Sequence, residues 1–171
     1  MQIGALITNL MIALTISFYT LSTANINGGN IDFSTYVGKK VLIVNTAINT
    51  SDTVQYRKLE LLYQKYKDSL VVIAIPSNSF GNSPGSNASI KTFIQSKYNV
   101  HYTLGSKIDV KGAGIHALYS WLADINKNGS MNSIVKADFY KYLIDKDGTL
   151  IGIFNEETDL LGNTMKNAIE Q

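Results

Sequence analysis

The stretch running from Val41 to Tyr56, VLIVNTAINTSDTVQY, restricts the possible fold more than any other part of the chain. Residues 41–47 are mostly apolar and β-branched, without alternation, which suits a strand covered on both faces in a parallel or mixed α/β sheet. Residues 48–53 are small and polar. A helical pattern follows, with Leu59, Leu62, Tyr63 and Tyr66 at spacings of three and four. Strand, tight polar turn and helix N-terminus form the arrangement in which α/β proteins place reactive groups. A nucleophile is expected on that turn, and the turn offers Asn49, Thr50 and Ser51.

A chain of 171 residues is expected to form one domain with a sizeable core. Apolar content of 45% and charged content of 16% describe a globular protein. The net charge of +2 gives no argument for nucleic acid or an anionic membrane as partner. There is no cysteine, which removes disulfides, thiolate metal sites and thiol catalysis together. His101 and His116 are far apart and lack carboxylates at ligand spacing, so no metal or cofactor is expected. Asn49, Asn87 and Asn128 head Asn-x-Ser sequons, with Asn49 turned inward as a poor acceptor. The ten tyrosines and Trp121 read as packing residues.

No charged side chain occurs in the first thirty-one residues, and residues 3–23 are mostly apolar. Ser22, Thr23 and Ala24 supply the small residues that an export peptidase prefers. The expected division is a signal peptide or uncleaved anchor over 1–24, a Gly/Asn spacer over 25–30 and one domain over 31–171. The protein is then exported, periplasmic or secreted, and touches a membrane only where the segment is retained.

Further along, the pattern predicts a helix over 55–68, a buried strand over 70–75 stopped by Pro76, and a turn-rich loop over 77–87. Ser86 or Asn87 is the N-cap of a helix from 88 to about 97. A short helix is expected over 116–122, a loop over 123–133, and a hairpin of strands 139–144 and 149–154 around Asp147-Gly148. A closing helix over 158–169 turns Leu160, Leu161, Met165 and Ile169 toward the sheet.

Two stretches carry a resemblance. Val44-Asn45-Thr46-Ala47-Ile48-Asn49-Thr50-Ser51-Asp52-Thr53 is similar to the Val-Asn-Val-Ala-Ser-x-Cys-Gly-x-Thr pattern of the glutathione peroxidase family. Pro76, Asn78, Phe80, Gly81, Pro84, Gly85, Ser86 and Asn87 agree, in order, with that family's Phe-Pro-x-Asn-Gln-Phe-Gly-x-x-Glu-Pro-Gly-Ser-Asn signature. The resemblance covers 31 to about 169. It implies a thioredoxin-like α/β fold, with a central mixed sheet flanked by helices. The family also has a hairpin upstream of residue 31, for which the signal-like run leaves no room.

The resemblance further implies a site whose chemistry has been replaced. Thr50 stands at the position of the peroxide-reacting cysteine or selenocysteine. Ser79 stands for the family's glutamine, and Ala137 and Asp138 stand for its Trp-Asn pair, while Lys136, Phe139 and Lys141 keep the frame. The resolving-cysteine positions are Ser77 and Gln95. A threonine hydroxyl has no counterpart of sulfenic acid, and Met131 and Met165 map elsewhere. Glutathione or thioredoxin, the family's reductants, therefore have nothing to reduce.

Three functions are compatible with these residues. The first is a catalytically degenerate family member. The second is an enzyme, either a residual hydroperoxide-reducing peroxidase in an oxidative-stress response or a hydrolase using Thr50, Ser79 and Asp138. The third is an exported interaction module holding a protein or small molecule in the vacated pocket. Thr50 itself reads first as a turn residue bonded to its own backbone. The short 123–133 connection resembles that of the family's monomeric branch.

Overall fold

The computed structural model describes residues 15–171. In chain order its strands are β1 (Ser22–Ala24), β2 (Asn30–Asp32), β3 (Lys40–Thr46), β4 (Leu70–Pro76), β5 (Thr103–Leu104), β6 (Lys141–Ile144) and β7 (Leu150–Phe154). Its helices are α1 (Gln55–Tyr66), α2 (Asn87–Tyr98), α3 (Ala117–Ala123), α4 (Ile125–Asn128) and α5 (Asn163–Glu170). The main sheet runs β5-β4-β3-β6-β7. β3 is parallel to β4, and β4 to β5, whereas β6 is antiparallel to both β3 and β7.

All seven positions of β3 are buried, in keeping with the non-alternating apolar stretch Val41–Val44 at its centre. Successive side chains of a strand face opposite ways, and here each face has its own core. Leu42 and Val44, with Val72 and Ala74 from β4, pack against Leu59 and Leu62 of α1, Ile90 and Ile94 of α2, and Met165 and Ile169 of α5. Val41 and Ile43, with Ile73 and Ile75, pack against Leu118, Trp121 and Leu122 of α3 and against Phe18, Ile31 and Phe33.

That second core corrects the expected domain boundary. The hairpin left without room by the sequence reading is present: β1 pairs antiparallel with β2, and the expected spacer 25–30 is its connection and the start of β2. Phe18 is buried, stacks on Phe33 with centroids 4.6 Å apart and leans on Trp121 at 5.4 Å. Trp121 Nε1 donates to the Ile16 carbonyl at 2.6 Å, and Tyr19 Oη donates to the Lys146 carbonyl at 2.6 Å. Residues 18–24 thus belong to the folded domain. Of the leader or anchor expected over 1–24, residues 1–14 lie outside the described residues.

Smaller differences have local causes. The closing helix begins at Asn163, not at 158, because Asn155 Oδ1 accepts from Thr158 N and Asp159 Oδ1 accepts from Leu161 N. Those side chains offer the backbone an alternative to helix, and Leu161 consequently points outward at 48% exposure. The expected 123–133 loop contains α4, capped by Asp124 and closed by Gly129 in the left-handed region at φ 73°. Ser86 is the cap of α2, its side chain accepting from Ser89 N. Asn49 is exposed, while Asn128 is buried with its amide donating to the Trp121 and Met131 carbonyls.

Because Phe18 completes a core, Phe18→Ala is expected to cost about 3–5 kcal/mol of unfolding free energy in chemical denaturation. Intact-mass measurement of purified protein is expected to show a polypeptide that retains Phe18.

Candidate functional site

The site lies where β3 and β4 run out. Past Thr46 the chain makes a 3-10 turn, Ser51–Val54, capped by Thr50 in extended backbone (φ −148°, ψ 158°). The Thr50 hydroxyl accepts from Asp52 N at 3.3 Å, so its oxygen acts as the cap of that turn. Ile48 N and Asn49 N both donate to the Asn82 carbonyl, at 3.1 and 2.9 Å, which fastens the turn to the loop after β4.

Asn45, buried on β3, fastens the third segment. Its Nδ2 donates to the Ala137 carbonyl at 3.0 Å, and its own carbonyl accepts from Phe139 N. Phe139 is held there in left-handed backbone at φ 64°. That is a costly conformation for an aromatic residue, and the buried Phe139 ring, 5.5 Å from that of Tyr56, holds it in place.

Together these segments border an open cavity of about 320 Å³, lined by Thr50, Asp52, Phe80, Asn82, Lys136, Ala137 and Asp138. The structure therefore brings three of the four expected positions, Thr50, Ala137 and Asp138, to one place. Ser79 does not join them. Its hydroxyl accepts from Ser77 Oγ at 3.0 Å and from Val110 N at 3.0 Å, which turns it toward the 110 segment. Ser77 is fully buried beneath it. Gln95 lies along α2, donating to the Val100 carbonyl at 3.0 Å, and lines a different cavity with Ala88, Lys91, Thr92 and Ser96.

Asn82, not expected from the sequence, lines the cavity where Ser79 does not. Its Nδ2 donates to Asp138 Oδ2 at 2.8 Å. The turn at Gly81, with φ 80°, precedes it; glycine tolerates that conformation without a Cβ penalty. Asp52, Phe80 and Lys136 likewise reach the cavity only through tertiary placement. The frame match at Phe80 and Gly81 was the one available signal for this loop.

Asp138 is 6% exposed, and its Oδ1 has no hydrogen-bond partner among the described residues. Burial, the largest influence, pushes its carboxyl above the ordinary range. The Asn82 hydrogen bond pulls it down, the Asp52 charge raises it and Lys111 lowers it. Lys111 itself sits 3.8 Å over the Phe80 ring.

Behind the turn, Lys141 is entirely buried, and its Nζ donates to the carbonyls of Asn155 (2.9 Å) and Glu156 (3.0 Å). Burial lowers it to about 8, against the pull of Glu156 and Asp52. Neither histidine reaches the cavity. His101 Nδ1 pairs with Glu60 at 2.9 Å, and His116 Nδ1 accepts from Leu118 N to cap α3.

A main sheet with two parallel pairs, the antiparallel β6-β7 hairpin added beside β3, and helices on both faces make a thioredoxin-like protein. A thiol:disulfide interchange protein, DsbE, from Chlorobium tepidum superposes with a TM-score of 0.64 at 15% identity, covering 91% of this chain and 94% of that one. The crystal structure of Trgpx in apo form is nearer, with a TM-score of 0.69 and 31% identity over 92% of this chain and 98% of that one. The sequence profile described as glutathione peroxidase matches residues 18–123. A glutathione peroxidase of Lactococcus lactis subsp. cremoris is 39% identical over 84% of this chain and 92% of its own length. A glutathione peroxidase-like peroxiredoxin of Schizosaccharomyces pombe is 39% identical over 78% and 85%. The chain belongs to the glutathione peroxidase family.

The buried amine sets a pH dependence. Lys141 has a folded value near 8, below its unfolded value of 10.5, so the unfolded state holds the proton more tightly. Stability therefore rises with pH between those values. Relative to Lys141→Met, the wild type is expected to gain up to roughly 3 kcal/mol from about pH 8 to about pH 10 in urea unfolding. Above that, the buried phenols of Tyr102 and Tyr119, raised by burial, reverse the trend.

Proposed function

We propose that this chain is a member of the family without hydroperoxide turnover, in which the former reaction pocket serves as a binding cavity. The observation that supports this reading is elemental. The position of the peroxide-reacting atom is Thr50, whose oxygen caps Asp52 N, and every side chain lining the cavity presents carbon, nitrogen or oxygen. Two-electron reduction of a hydroperoxide needs an atom that takes up the transferred oxygen and is reduced again, as a thiolate does.

A hydrolytic use of Thr50 has no support in the site. A hydroxyl nucleophile requires an adjacent base. The nearest candidates are carboxylates: Asp52 Oδ2, which accepts from Thr50 Oγ1 at a long 3.4 Å, and Asp138, engaged with Asn82. Ser79 faces away from the pocket.

Purified protein with hydrogen peroxide or a lipid hydroperoxide, and glutathione or thioredoxin as reductant, is expected to show no turnover above a heat-denatured control. Reductant-dependent turnover by the wild type sinks the proposal. The combined variant Thr50→Cys, Ala137→Trp, Asp138→Asn is expected to gain measurable turnover in the same assay. It restores the sulfur, the indole N–H and an uncharged amide to a frame that still carries Asn45, Lys136 and Phe139.

A further inference from the structure

The chain contains two Asn-Gly pairs, Asn27-Gly28 and Asn128-Gly129, and the fold treats them oppositely. An asparagine before glycine is chemically labile, because a residue without Cβ lets its backbone nitrogen approach the preceding side-chain carbonyl.

Asn128 is 9% exposed, and its side chain makes all four hydrogen bonds that an amide allows. Nδ2 donates to the carbonyls of Trp121 and Met131, both at 2.8 Å. Oδ1 accepts from Ser130 N at 2.7 Å and from Met131 N at 2.9 Å. Turning its Cγ toward Gly129 N breaks all four in a buried place, which is expensive.

Asn27 is exposed in the β1-β2 connection, where its backbone N donates to Asn25 Oδ1 at 2.8 Å and its side-chain amide has no partner among the described residues. Gly28 stands at φ 93°, and apart from its chain neighbours no heavy atom lies within 4 Å of where a Cβ would stand. What restrains Gly28 N is one bond to the Asn25 carbonyl at 3.0 Å, in a turn closed by Asn25 N donating to the Gly29 carbonyl at 2.9 Å. Exposed turn bonds of this kind open at little cost.

We propose that Asn27 is a site of spontaneous deamidation, converted through a succinimide to aspartate and isoaspartate, while the fold keeps Asn128 intact. Gly28 N attacks Asn27 Cγ. The N–Cγ bond forms, the Cγ–Nδ2 bond breaks, and ammonia leaves with the Gly28 amide proton. Water then opens the ring at Cγ to give aspartate, or at the main-chain carbonyl to give isoaspartate. No electron is transferred, and water is the only co-reactant. No charged side chain precedes Asp32, so the product puts a first carboxylate into that stretch. The isoaspartate form also runs the main chain through Cβ and Cγ, which lengthens the connection between strands whose inward residues, Thr23 and Ile31, are buried. This inference stands apart from the reading of the pocket.

The test is peptide mapping by mass spectrometry of full-length protein aged at mildly alkaline pH, folded and in urea side by side. In urea both pairs are expected to gain one mass unit. In the folded protein Asn27 is expected to react about tenfold or more faster than Asn128, whose reaction has to wait for local unfolding. Asn27→Gln, whose longer side chain closes a less favourable ring, is expected to abolish the gain in its peptide, with an unchanged circular dichroism spectrum. Three results overturn the proposal. One is an intact Asn27 in folded protein while the chain in urea reacts, another is equal rates at Asn27 and Asn128 in the folded state, and the third is a gain that persists in Asn27→Gln.

Discussion

A strand buried along its whole length on both faces has to be covered twice. That requirement organises this molecule. β3 sends Leu42 and Val44 to one side and Val41 and Ile43 to the other, and each pair needs its own layer of helices or aromatic side chains. The helical layer over the first face comes from α1, α2 and α5. The second face has only α3, a short helix, and is completed by the segment around Phe18 and the β1-β2 hairpin. Apolar burial at roughly 25 cal/mol per Å² makes this cover a main contributor to stability. It also explains why a stretch that reads as a leader at its apolar beginning finishes inside the fold.

The same strand positions the cavity. Its ladder ends at Thr46, and Asn45, one residue earlier, holds the 137–139 segment through both its side chain and its carbonyl. Three loops from distant parts of the chain therefore converge on one point, in the way that open α/β sheets place ligands beyond the carboxyl ends of their strands. The scaffold of the glutathione peroxidase family is intact down to these clamps, and Thr50, Ala137 and Asp138 line the cavity it carries. A fold of this kind does not settle function.

Electrostatically the replacement is a reversal. A site that lowers the pKa of a thiolate needs donors and positive potential around it. This one presents Asp52 and Asp138, with Asp138 raised by burial and by its acidic neighbour. Lys141, the deepest cation, faces the carbonyls of Asn155 and Glu156 and anchors the turn that leads into α5. It supports the wall without entering the cavity.

Much of the fold was legible because periodicity and capping are local. The run without alternation at 41–47 implied double burial, Ser86 or Asn87 announced the start of α2, and Asp147-Gly148 marked the hairpin. Thr50, Ala137 and Asp138 were legible as one site only through the resemblance of their surrounding frames. The start of α5 was misread because Asn155 and Asp159 divert backbone groups that a hydrophobic pattern does not register. Sequence alone determined the absence of cysteine from the pocket, since an amino acid that is not encoded cannot be folded into place. Tertiary structure alone decided that Phe18 belongs to a core and that Asn82 and not Ser79 meets Asp138. Those outcomes depend on which loops approach each other across the sheet, a long-range matter that no local spacing contains.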